Sequence, residues 1–352
     1  HQKYFSLENK HGDLLPYFIT ISNVQPGPGG EISRGNERVL RARLQDARFF
    51  FDEDRKKRLE DFVALLKDVT FQKSLGTSYE KVNRIVALTE FLATEVCPKK
   101  IKQASRAAWL CKADLVTQMV YEFPELQGVI GGYYAEHSGE DSEVCLAIKE
   151  HYRPAFSGDS PPSNPVGSIV SIADKLDTIL GCIGVGLLPS GSEDPYGLRR
   201  HSLGIIRIIT SQNWQVSLDA LIQEGINLLK GKTKLTSDEI HMHTQVLFSQ
   251  RYKTILIGEE YPYDAIDAVL SADIDSLVDV RQKVDALSDL KKQPYFEPLA
   301  TTFRRVVSIL NDESDGDIQT SLLSEPAEKK LYDEYKRVKE PVENHLSKRG
   351  VV

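Results

Sequence analysis

From about Ser33 onward, apolar residues recur at intervals of three and four, the period of helices that bury one face. The stretch NERVLRARLQDARFFFDEDRKKRLEDFVALLKDV (36–69) carries this period with arginines and lysines set between the apolar positions. Further helices are expected over 78–96, 103–122, 141–151 and 165–184. A second group follows over 195–210, 216–230, 236–256, 262–271 and 275–290, and the chain closes with 296–311 and 325–347. Only the opening differs. YFSLE (4–8) and YFITISNV (17–24) have the aromatic and β-branched enrichment of strands, separated by the turn-like NKHGD.

Breakers divide this pattern. QPGPGGE reads as a loop, FPELQG and FSGDSPPSNP interrupt the first helical group, and LLPSGSEDP closes it near 194. The acidic NDESDGD separates the last two helices. The expected architecture is mainly α: a short β-containing piece with its linking helix (1–53), then helical units over 54–193 and 194–352.

Composition agrees with this outline and narrows it little. A chain of 352 residues can build two or three compact units. Hydrophobic residues at 41% and charged residues at 27% are those of a soluble globular protein. No apolar run approaches the roughly 20 residues that span a bilayer, so no membrane partner is expected. The opening HQKYFSLENKHG lacks a methionine and a basic, apolar leader, and reads as a fragment or processed product. Cys97, Cys111, Cys145 and Cys182 form no CxxC pair, which speaks against zinc and a disulfide framework and for a reducing compartment.

Net charge is −7, yet DRKKR (54–58), PKKIKQASR (98–106) and YGLRRHSLGIIR (196–207) are basic runs that can meet a polyanion. Each reads equally well as a solvated helix face. In DPYGLRRHSLGIIRII, Asp194 is placed to cap a helix and Pro195 to open it. Leu198, Leu203, Ile206 and Ile209 then form its buried face, leaving Arg199, Arg200 and Arg207 to project. Guanidinium groups so displayed bind phosphate through charge-assisted contacts, or pair with nearby carboxylates.

Two aspartates, Asp114 and Asp174, lie among small and apolar residues, where a buried carboxylate needs a partner. Their spacing is similar to that of the HD-type phosphohydrolases, in which histidines and aspartates from several helices hold divalent metal. The resemblance fails at the imidazoles. Ala113 precedes Asp114, and no histidine occurs between His11 and His137. His137 and His151 follow the motif, so no metal is expected here. Asp114 and Asp174 are instead expected to be remnants paired with Lys112, Lys175, Arg106 or a helix N-terminus.

Other motifs carry less. His241 and His243 in HMH point to different faces of a helix, which disfavours a shared metal. GGYYAEHSGE (131–140) and IGVGLLPSG lack the strand–glycine–helix context of a phosphate loop, and neither a P-loop nor a G-x-S-x-G elbow is present.

Taken together, several segments resemble one family. QKYF with LLPYFITISN, GNERVLRARLQDARFFFDEDRKKRLED, FQKSLGT, MVYEFPELQGVIGGYYA, DSPPSNPVGSIVSIADKLDT and DPYGLRRHSLGIIRII are similar to the β subunit of the bacterial-type glycyl-tRNA synthetase. The resemblance is dense from residue 2 to about 210 and looser to about 347. It implies a degenerate HD-like helical domain at 54–193 and a helical anticodon-binding-type domain at 194–352, truncated, with further domains before HQKYF.

It also implies partners: tRNA(Gly), and an α subunit or fused α domain in an α2β2 or fused assembly. The α part would bind ATP and Mg and attach glycine, while this piece alone would hold no cofactor and be non-catalytic. The cytoplasm of a bacterium is the implied location, or a plastid or mitochondrion for a plant source. The candidate tRNA contacts are Arg55, Lys56, Lys57, Arg58, Arg199, Arg200, Arg207, Arg251 and Lys253, with Tyr252, Tyr261 and Tyr263 beside the last pair. Three functions compete: an RNA-binding portion of a synthetase, a scaffold bridging α and β parts, and a metal phosphohydrolase.

Overall fold

The two opening strands pair antiparallel, with Phe5 opposite Ile19 and Ser6 opposite Phe18. They are β1 (Tyr4–Glu8) and β2 (Leu14–Thr20). β2 begins three residues before the expected Tyr17 because the turn is tight. The Asn9 carboxamide oxygen accepts from the backbone N–H groups of His11 and Asp13, and Gly12 takes a positive φ of 84°. This computed structural model describes residues 4–23, 30–156, 158–272, 274–309, 318 and 320–347. The acidic NDESDGD and most of QPGPGGE lie outside them.

The chain divides into two compact units, His1–Asp289 and Leu290–Val352. In the first, α1 (Glu31–Asp54) and the short α2 (Leu59–Val63) lead to a small hairpin, β3 (Thr70–Gln72) with β4 (Gly76–Thr77). This hairpin was not expected, since strands of three and two residues leave no periodicity to read. α3 (Ser78–Val96) starts where a capping box sets it: the Thr77 hydroxyl accepts from Glu80 N–H, and the Glu80 carboxylate accepts from Thr77 N–H.

The expected single helix over 103–122 is two. α4 (Ile101–Leu110) ends before a 3-10 turn at Ala113–Val116, and α5 (Gln118–Glu122) begins anew. Two caps set the restart: Thr117, whose hydroxyl accepts from Val120 N–H, and a distant carboxylate. Asp54, at the end of α1, accepts from the N–H groups of Gln118 and Met119 at 3.0 and 2.9 Å, and so caps a helix start there. After it come α6 (Val129–His137) and α7 (Ser142–Glu150), then α8 (Pro165–Gly184) with Asn164 as its cap and Pro165 in its first turn.

α8 is the axis of the unit. Every residue from Val166 to Gly184 is buried, under α3, α4 and α7 and under α9 (Leu198–Gln212), α10 (Leu218–Leu228) and α11 (Ser237–Gly258). The segment near 190–195, where a unit boundary was expected, is a turn closed by Ser190 and Glu193 between the packed helices α8 and α9. α12 (Tyr263–Leu270) and α13 (Leu277–Lys291) complete the helical run. Tyr252 of α11 is buried and donates its hydroxyl to Leu277 O of α13 at 2.6 Å.

The second unit holds α14 (Phe296–Ile309) and α15 (Pro326–Ser347). Both are amphipathic, and their apolar stripes are exposed: Leu299, Phe303 and Val306 on α14, and Leu331, Tyr335, Val338 and Val342 on α15. Among the described residues no helix is long and apolar enough to cross a membrane.

Candidate functional site

Asp174 is held on α8 with two ammonium groups against it. Lys112 Nζ, from the turn after α4, lies 2.6 Å from Oδ2. Lys81 Nζ, from α3, lies 3.0 Å from Oδ1, an electrostatic contact rather than a directed hydrogen bond. Burial raises the energy of the carboxylate, but Lys112 and Lys81 outweigh it and hold Asp174 well below the usual range. For Lys112 the same opposition runs the other way: burial works against its charge, and Asp174 more than compensates, keeping it above the ordinary lysine value.

The third partner is His151. Its Nδ1–H donates to Ile148 O at 2.6 Å, which leaves the Nε2 lone pair to accept from Lys112 Nζ at 2.9 Å. Burial, then the neighbouring Lys112 charge, pull its pKa well below the usual imidazole value, so the ring is neutral. The Lys112 ammonium also lies 3.8 Å from the centre of the Tyr152 ring.

Asp114 has no such cation. Its Oδ2 accepts from Gly128 N–H and Gly131 N–H, at 2.6 and 3.1 Å, at the start of α6. Its Oδ1 is buried without a hydrogen-bond partner. Burial pushes this carboxyl up to about 6 against those N–H groups. Residue 131 has to be glycine for this approach, since a Cβ there would stand 2.9 Å from Oδ2. The expected helix N-terminus and Lys112 are therefore the partners of the two aspartates. Arg106 and Lys175 are not. Arg106 bridges Glu60 and Glu140, and Lys175 donates to Ser171 Oγ and to the carbonyls of Tyr152 and Arg153.

Three charged residues that sequence reasoning missed complete the cluster. Asp177, one turn along α8 from Asp174, receives Lys81 and a two-pronged contact from Arg84. A signal for them exists: Lys81 and Arg84 on α3, and Asp174 and Asp177 on α8, share the spacing that puts both on one helix face. Among the described residues, no group of three or more His, Cys, Asp or Glu side chains is arranged to hold a metal ion. His241 reaches Asp219 at 3.1 Å.

The basic candidates lie outside this cluster and differ in what already holds them. Arg55 reaches His137 Nδ1 at 3.0 Å, Lys56 pairs with Glu53, Lys57 faces the Phe62 ring, and Arg58 pairs with Glu60. Lys253 pairs with Asp267 and donates to the Tyr263 hydroxyl. Arg199, Arg200, Arg207 and Arg251 make no ion pair among the described residues, and Arg251 Nε is buried without a partner.

On α9 the expected buried face is corrected in part. Leu198, Ile206 and Ile209 are buried, while Leu203 is half-buried and Ile205 and Ile208 join the core. α9 starts at Leu198 rather than Pro195. Asp194 still caps it, accepting from Leu198 and Arg199 N–H at 2.8 and 3.0 Å.

Fold and site together define a mainly helical protein with a buried charge cluster in its core and, outside it, arginines that make no ion pair among the described residues. It belongs to the glycyl-tRNA synthetase beta subunit family, which it matches over residues 1–271. It is 47% identical to the glycine–tRNA ligase beta subunit of Trichlorobacter lovleyi over 94% of this chain and 48% of that protein. With the Geobacter sulfurreducens protein of the same name it shares 48% identity, over 97% of this chain and 50% of the relative. The chain thus spans about half the length of the curated relatives it matches.

Proposed function

We propose that this chain is the tRNA-binding portion of a glycyl-tRNA synthetase beta subunit. It supports the ATP-dependent attachment of glycine to tRNA(Gly), with the chemistry, ATP and Mg at the α part and none of it here. The observation that carries this reading is membership of the family across most of the chain. The arginines without ion pairs support a polyanion as ligand, because Arg199, Arg200, Arg207 and Arg251 give up no ion pair among the described residues on meeting phosphate. The 54–193 segment is read as a helical HD-like scaffold without hydrolytic function, and 194–352 as the anticodon-binding-type part. A bacterial cytoplasm is the setting that goes with these relatives.

A bridging role toward the α part has its own support. Leu14, Tyr17 and Ile21 at the opening hairpin and Leu44 on α1 are exposed, which is an apolar surface able to meet another protein.

Titration of the chain with tRNA(Gly) and a non-cognate tRNA at two salt concentrations tests the proposal. Tighter, salt-sensitive binding to tRNA(Gly) is expected. Equal or absent binding of both would leave the bridging role standing alone.

A further inference from the structure

An HD-type scaffold implies a divalent cation close to Asp114 and Asp174, and the side chains present do not fit one. An imidazole ligand needs a free nitrogen lone pair. His151 has none to give, since Nδ1–H is committed to Ile148 O and the Nε2 lone pair to Lys112. The Asp174 carboxylate is likewise taken on both oxygens, by Lys112 and Lys81. Lys112 Nζ therefore has an anionic oxygen at 2.6 Å, an imidazole nitrogen at 2.9 Å and an aromatic face at 3.8 Å. An ammonium has three N–H groups, and these three partners account for all of them.

We infer that Lys112 is the resident cation of this centre: a tethered ammonium that does structurally what a bound metal ion would do. It joins the turn after α4 to α8 through Asp174 and to the end of α7 through His151, from within the core. A metal ion is lost to chelators and depends on supply; an ammonium on a side chain is present whenever the chain folds. Lys81 is shared between Asp174 and Asp177, and Arg84 is held by Asp177, so Lys112 is the cation of the cluster that Asp174 alone pairs with. This takes the HD-like scaffold of the proposed function as its starting point, but failure to bind tRNA would leave it untouched.

The test uses the whole chain. Protein expressed with added manganese, iron and zinc is analysed for metal by mass spectrometry, and its unfolding midpoint is measured with EDTA and with each metal alone. No stoichiometric metal and one common midpoint are expected. Stoichiometric metal, or a midpoint lowered by EDTA, overturns the inference whatever the variants do.

In the second arm, Lys112→Met lowers the midpoint by about 5 °C or more, because it strands Asp174 and His151. Adding Asp174→Asn recovers part of that loss, since the stranded charge is gone. A double variant as unstable as the sum of the two single changes overturns the inference. Should Lys112→Met fail to fold, a folded double variant supports the inference and an unfolded one overturns it.

Discussion

Arg84 grips Asp177 with two nitrogens inside the core, Nε at 2.6 Å from Oδ1 and Nη2 at 3.2 Å from Oδ2. Both side chains are almost wholly excluded from water, and Asp177 also receives Lys81 at 3.0 Å. Removing the guanidinium leaves a carboxylate short of partners at a place where water cannot compensate. Arg84→Met is expected to cost about 3–5 kcal/mol in urea unfolding. Arg84→Met with Asp177→Asn should cost less than the two changes summed; a larger loss would mean the guanidinium acts mainly through packing.

Asp114 gives the stability a pH dependence of definite sign. Its folded pKa, about 6, lies above the ordinary 3.8, so the folded chain binds the proton more tightly than the unfolded one. Its contribution is most favourable below about pH 4 and is lost as pH rises through 6. The size is about 3 kcal/mol, from roughly 1.4 kcal/mol per unit. Asp114→Asn should flatten the stability profile between pH 4.5 and 7, measured by denaturant midpoints at constant salt. An unchanged profile would show that Asp114 is not the group responsible.

Asp54 holds the start of α5 from outside it, and Tyr134 donates to the same carboxylate at 3.0 Å. Asp54→Ala strands two N–H groups and a hydroxyl in the interior, with an expected loss of about 1–3 kcal/mol. The loss should begin locally. Amide exchange at Gln118 and Met119 is expected to speed up more than in α3 or α8; uniform acceleration would refute a local capping role.

The basic residues should separate by prior commitment. Lys253 is already paired with Asp267, whereas Arg199 and Arg200 have no ion pair among the described residues. Changing both arginines to alanine is expected to weaken tRNA binding and to reduce the salt dependence by about one phosphate contact per residue. Lys253→Ala should change affinity less than the arginine pair does. The opposite ranking, in filter binding at two salts, would move the contact to α11.

The sequence shows most clearly what local chemistry decides. α3 and α8 begin and end as the periodicity predicts, because Thr77 with Glu80, and Asn164 with Pro165, mark their starts within a few residues. The break between α4 and α5 is only half legible in its own segment: Thr117 caps α5 locally, but Asp54, which also accepts there, is 64 positions from Gln118. The site divides in the same way. Missing histidines are visible at a glance, and so is the need for partners at Asp114 and Asp174. That Lys112 rather than Lys175 answers Asp174 depends on how α4, α7 and α8 converge, and no spacing along the chain contains that.

The burial of α8 from Val166 to Gly184 turns one of its own atoms into a clock. Cys182 lies on that helix with no exposure, and burial pushes its thiol up to about 12, so it is both unreachable and un-ionised. Cys111 is equally hidden, while Cys97 and Cys145 are only half covered. A maleimide added to the native chain therefore meets one accessible pair of thiols, Cys97 and Cys145, and is kept from the other pair. The moment at which it finds Cys182 is the moment the core comes apart.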